Sequence, residues 1–143
     1  MGDAVLEGGC FCGAIRYQLH GGLQPAQACH CSRCRKAFSG PSSAYAALPE
    51  GSSLSWLSGA ELLTRYAGAS GWGLAFCRVC GSTLCGILNG TVHGLILGSV
   101  DGDPGVDIAR HLFTGSKAAW DHIGGDAPQY DEWPTGDDEE RAD

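Results

Sequence analysis

The sequence predicts a mostly β fold of short antiparallel strands with little helix, held together by zinc, and three observations carry that expectation. Glycine accounts for 23 of the 143 residues, roughly twice its ordinary share of ~7%. Each glycine in a helix interior costs about 1 kcal/mol relative to alanine, so a chain this rich in glycine favours strands and tight turns. Short apolar runs are cut off by Gly, Ser or Pro along the whole length, which is the punctuation of a β protein. Seven of the eight cysteines fall into close clusters, the spacing that metal ligation needs.

Taken in order, these runs predict strands at 5–9, 14–19, 43–48, 54–57, 62–67, 73–76, 83–88 and 91–100. The strongest local signal is Asn89-Gly90 between the last two runs, since both residue types tolerate the positive φ of a type I′ hairpin turn. Helix is expected only as a turn or two over 31–38 and again over 116–122, with Ser116 as the cap of the second. Trp56, Tyr66 and Trp72 are assigned to the core, while Phe38, Phe113 and Trp120 are left open. His20, His93, His111 and His122 read as exposed or hydrogen-bonded imidazoles with no metal role. The length suits one domain over 1–135. An acidic tail over 136–143, with Asp137, Asp138, Glu139, Glu140 and Asp143, reads as solvated and disordered.

Nine Lys and Arg against sixteen Asp and Glu give a formal charge of −7, which leaves no basic field for phosphates and excludes nucleic acid as a partner. The opening MGDAVLEGGC lacks a basic start followed by an apolar run, and no apolar stretch reaches the ~18 residues of a membrane span. The expectation is therefore a cytoplasmic chain with no membrane partner. In that reducing setting eight cysteines point to metal rather than to four disulfides.

The cysteines form a C-x-C (Cys10, Cys12), a C-x-C-x-x-C (Cys29, Cys31, Cys34), a C-x-x-C (Cys77, Cys80) and a singlet, Cys85. Two thiolates on one short loop reach a single tetrahedral zinc when one or two residues separate them. In FCRVCGS the second cysteine is followed by Gly81, suited to a sharp turn with positive φ that aims backbone N–H groups at the sulfurs. This knuckle supplies two ligands, and Cys10 and Cys12 in GGCFCG are the natural donors of the other two. That pairing would close a loop of more than sixty residues with a metal staple. The triplet offers three thiolates and leaves one coordination position for water or substrate. Alternatively, His30, Cys85 or a distant histidine fills that position and the site is structural. His30 lies between two ligands and would point away from a metal they share, and Cys85 in STLCGIL reads as a small buried hydrophobe. A thioredoxin-type redox pair is disfavoured, because no alternating strand-helix pattern surrounds either C-x-x-C.

The blocks GGCFCGAIRY, CHCSRCRKAF and FCRVCGSTL, followed by RHLFTGSKAAW and DAPQY, stand in the order and at about the separations of a known family. Over 5–134 the chain resembles the glutathione-dependent formaldehyde-activating enzymes. The resemblance implies a zinc-bound β-tent domain, with a structural zinc on Cys10, Cys12, Cys77 and Cys80 and a second, catalytic-type zinc on Cys29, Cys31 and Cys34. It implies a carbon-sulfur lyase-type activity that forms or cleaves S-(hydroxymethyl)glutathione, with a small thiol such as glutathione and an aldehyde as substrates. Arg33, Arg35 and Lys36 are the local cations that would offset the thiolate charge or meet substrate carboxylates. The competing expectation is a non-catalytic zinc module that binds a small thiol or a protein partner.

Overall fold

The computed structural model describes residues 5–134; the acidic stretch over 136–143 lies outside them. The described residues form β1 (Val5–Gly9), β2 (Arg16–His20), β3 (Ala26–Cys29), α1 (Ser32–Phe38), β4 (Tyr45–Ala47), β5 (Ser53–Ser58), β6 (Leu63–Ala67), β7 (Trp72–Cys77), β8 (Thr83–Leu88), β9 (Thr91–Ile96) and β10 (Ile108–Leu112). Single 3-10 turns occupy Ala60–Leu62, Leu97–Ser99 and Thr114–Ser116. The chain is mostly β, as its glycine content requires. No described helix is long and apolar enough to cross a membrane.

The chain divides into two compact units, one from residues up to Pro25 together with Tyr45–Val106, the other from Ala26–Ala44 and the residues from Asp107 on. In the first unit, β1, β2 and β5 form an antiparallel sheet in that order. The period of two is plain in β2, where Tyr17 and Leu19 are fully buried while Arg16, Gln18 and His20 are not. A second antiparallel sheet runs β4-β9-β8-β7-β6. One row across it, Ala46↔Leu95↔Cys85↔Ala75, has no solvent exposure at any position, so this face supplies the core. Ile15, Tyr17, Leu19, Leu84, Ile87 and Leu95 fill it, each contributing about 1.5–3 kcal/mol by burial. Trp56 packs edge-on against Tyr17, with ring centroids 5.9 Å apart. Tyr66 and Trp72, expected in the core, are 68% and 49% exposed, because neither β6 nor β7 buries the face on which they stand.

The hairpin between β8 and β9 turns at Asn89 (φ 51°) and Gly90 (φ 85°), with Leu88 opposite Thr91, as the Asn-Gly pair predicts. The predicted strand over 91–100 is cut short at Ile96, after which Leu97–Ser99 winds into a 3-10 turn.

In the second unit β3 and β10 pair in parallel, with Ala28 beside His111 and Cys29 beside Leu112. Neither strand is expected from sequence, and their parallel pairing departs from the antiparallel plan. The helix over 31–38 forms as α1, capped at its N-terminus by Cys31 and closed by Ser39 in the left-handed region at φ 53°. The helix expected over 116–122 does not form. Phe113 adopts φ 57°, the Ser116 and Lys117 N–H groups bond back to Phe113 and Thr114, and Lys117 is already extended at ψ 154°. The 3-10 bonds take up these first free N–H groups and the chain turns extended at Lys117, so no i→i+4 ladder begins.

Candidate metal centres

The first centre belongs to the first unit and stands on two turns of the same design. After β1, Gly13 turns at φ 83° and its N–H bonds the Cys10 carbonyl at 3.1 Å. After β7, Gly81 turns at φ 82° and its N–H bonds the Cys77 carbonyl at 2.8 Å. Each glycine follows the second cysteine of its pair, where a Cβ-bearing residue would be strained. The two turns bring the sulfurs of Cys10, Cys12, Cys77 and Cys80 within 4.8 Å of one another. Cys10 Sγ lies 3.6 Å from Cys12 Sγ, which in turn lies 4.0 Å from Cys77 Sγ. A tetrahedral zinc with Zn–S bonds of about 2.3 Å requires sulfur-sulfur edges of about 3.8 Å, so the four residues fit such an ion.

Backbone amides support those sulfurs. Ile15 N–H donates to Cys10 Sγ at 3.3 Å, Cys12 N–H to Cys80 Sγ at 3.4 Å and Val79 N–H to Cys77 Sγ at 3.4 Å. Such donors stabilise the thiolate form; the Ser82 amide is the chief cause that brings the Cys80 thiol down to about 6. Cys10 and Cys77 are themselves part of the hydrophobic core, whereas Cys12 is exposed.

The second centre belongs to the second unit. Cys29 ends β3, Cys31 caps α1 and Cys34 sits in its first turn. The Cys31 sulfur takes the role usually given to a Ser or Asp oxygen, accepting from the Cys34 N–H at 3.4 Å. Buried Ser43 holds Cys29 on both sides, its Oγ accepting from the Cys29 N–H at 3.1 Å and its own N–H donating to the Cys29 carbonyl at 3.0 Å. The three sulfurs lie within 4.8 Å of one another, and among the described residues no other His, Cys, Asp or Glu joins them. The Cys34 thiol donates to Cys29, which lowers Cys29 to about 6 and raises Cys34. Three soft sulfur donors suit a thiophilic cation. Of the three nearby cations, Arg35 reaches the Ser116 carbonyl at 3.4 Å, while Arg33 and Lys36 are exposed.

His30 is 3% exposed and stands in neither centre. Its Nε2 lies 3.0 Å from His111 Nδ1, and burial lowers both imidazoles. This pair is absent from any spacing rule, because it joins positions 81 residues apart in the chain. Cys85 lies in the core with no exposure, and burial pushes its thiol up to about 12. His20 bonds the Gln18 side chain at 3.0 Å, and His93 stacks on Tyr45 at 5.9 Å and meets the edge of Trp72 at 4.9 Å. Neither joins a cysteine group.

A family model described as glutathione-dependent formaldehyde-activating enzyme matches residues 5–116, more than three quarters of the chain and all seven clustered cysteines. No curated protein sequence matches the chain. The chain belongs to the glutathione-dependent formaldehyde-activating enzyme family.

Proposed function

From that membership, we propose that this protein is a zinc-dependent, carbon-sulfur lyase-type enzyme that forms or cleaves a thiol–aldehyde adduct, with S-(hydroxymethyl)glutathione as the adduct and glutathione and formaldehyde as its components. The observation that carries the reading is the difference between the two centres. Four cysteines converge in one, and three, with no fourth ligand-type residue among those described, converge in the other. A closed structural zinc suits the first and a zinc with an open position suits the second.

Cys10, Cys12, Cys77 and Cys80 would hold the structural ion, and Cys29, Cys31 and Cys34 the second. Zinc in the three-cysteine site would supply the positive charge that lowers the pKa of an incoming thiol from ~8.5 toward neutrality. The protein's own part is to keep that position free and fixed: Cys31 at the helix cap, Cys34 one turn on, and Cys29 clamped by Ser43. In the reaction the thiol gives up its proton, its sulfur forms a C–S bond to the carbonyl carbon as the C=O π bond opens, and the resulting alkoxide takes a proton. The reverse sequence is the lyase direction. Arg33, Arg35 and Lys36, all on α1, are the cations available to offset the negative charge of the thiolates. All eight cysteines are free thiols, which suits a reducing, cytoplasmic setting.

The test is zinc stoichiometry with X-ray absorption, made with and without glutathione. Two zinc ions averaging about 3.5 sulfurs, rising toward four when glutathione is added, are expected. The same protein should accelerate adduct equilibration measured by NMR exchange. Four sulfurs at each metal before any thiol is added, or no effect on equilibration, would instead favour the non-catalytic zinc module.

A further inference from the structure

We propose that His111 is a positioning residue for the three-cysteine metal site, acting through His30. The proposal rests on the reading that Cys29, Cys31 and Cys34 hold a metal. His30 is the residue between the first two of these, so its placement sets the path of the main chain from one sulfur to the next.

Two hydrogen bonds determine where His30 sits. Its N–H donates to the Leu112 carbonyl at 2.9 Å, tying the main chain of the cysteine loop to β10. Its Nε2 meets His111 Nδ1 at 3.0 Å, tying its side chain to the preceding residue of the same strand. Among the described residues its Nδ1 has no hydrogen-bond partner, and the nearest carboxylate oxygen, on Asp121, is 3.9 Å away. That is beyond direct hydrogen-bond reach. At 3% exposure the ring has little access to water for a substitute, so among the described residues His111 provides its one direct side-chain anchor.

His111 is itself held rigidly. Its N–H donates to the Pro128 carbonyl at 2.8 Å, and its carbonyl accepts from the Tyr130 N–H at 2.9 Å. The parallel register places it beside Ala28, with Leu112 beside Cys29. A chain of fixed contacts therefore runs from the segment around Pro128–Tyr130 through His111 and His30 to the two sulfurs that flank His30. The hydrogen bond needs one proton shared between Nε2 of one ring and Nδ1 of the other, so it also orients both rings. Partners that orient a metal site from outside its ligand set are commonly worth about 10–100-fold in metal affinity.

The experiment uses the full chain loaded with zinc and measures release of each equivalent to a chromophoric chelator, for the wild type and for His111→Leu, His111→Asn and His111→Gln. An Asn side chain places its polar group near the position of Nδ1, whereas Gln places it near Nε2. His111→Leu and His111→Gln are expected to weaken one of the two zinc equivalents about tenfold or more, with His111→Asn close to wild type. Should His111→Leu fail to fold, the Asn and Gln pair makes the same comparison with two polar replacements. Equal affinities in all the variants, or equal weakening by Asn and Gln, would overturn the proposal in favour of a purely structural histidine. A wild-type protein that binds a single zinc equivalent overturns the underlying reading of the site, and the proposal with it.

Discussion

At the scale of the residue, burial rather than charge pairing distinguishes the side chains that matter for stability. Tyr17 has no solvent exposure, and burial pushes its phenol from the ordinary 10.0 up to about 12. Its hydroxyl lies 2.7 Å from Ser99 Oγ, which also donates to the Ile96 carbonyl at 2.8 Å. Cys85 behaves alike, moving from 9.0 to about 12 through burial. Both folded-state values are raised, so both groups contribute their full stability below the unfolded pKa. That contribution is lost as pH climbs through 9 to 12, where the unfolded chain releases protons that the folded one retains. Two pKa units correspond to about 2–3 kcal/mol for Tyr17. Urea midpoints recorded across this range should fall for the wild type and fall less steeply above pH 10 for Tyr17→Phe. An identical slope in the variant would show that the phenol ionises without opposing the fold.

At the scale of the element, glycines at two neighbouring places do different work, and their replacements should differ accordingly. Gly90 turns the β8–β9 hairpin at φ 85° with open space where a Cβ would stand. Gly90→Ala therefore carries only the conformational cost of a left-handed residue, about 1–2 kcal/mol. Gly94 sits in β9, where a Cβ would come within 2.5 Å of the Ala46 carbonyl oxygen and 2.6 Å of the Tyr45 ring. Gly94→Ala must move a paired strand or an aromatic ring, and overpacking of that kind costs about 1–3 kcal/mol on top of any lost pairing. Denaturation of the zinc-loaded variants should rank Gly94→Ala as the more destabilised, and the reverse ranking would mean that the Tyr45 ring moves aside freely. The contrast also explains which elements were legible in the sequence. Strands β1 and β8 are readable to the residue because apolar runs end on turn formers, and the hairpin is readable because Asn-Gly admits one common geometry. Strands β3 and β10 are not. AQAC has small side chains and no β-branched or aromatic residue, and both strands take their pairing from a partner some eighty positions away, which no local pattern records.

At the scale of the whole molecule, the two cysteine groups differ in what the chain asks of them. The grouping of seven cysteines could be read from spacing because one or two intervening residues is a local constraint, whereas the His30–His111 contact is set by strand pairing and was invisible. The four-cysteine group joins turns 65 positions apart and includes two residues of the hydrophobic core, Cys10 and Cys77. Metal there would hold a long loop closed and take the place of a large unpaired cluster of thiols, so its binding energy counts directly toward folding. The three-cysteine group spans one loop and the first turn of α1, in which no residue is buried, so a metal there would close almost no chain. Two substitutions separate these roles. Cys77→Ser should abolish cooperative unfolding or leave protein that binds no zinc, while Cys34→Ser should retain one zinc equivalent. It should also retain slow hydrogen exchange at the amides of Leu84, Cys85 and Leu95, in the core of the first unit. Equal loss of amide protection in both variants would show that a metal in the second site is as structural as one in the first, because under the proposed function a site with an open position should be removable without dissolving the core of the first unit.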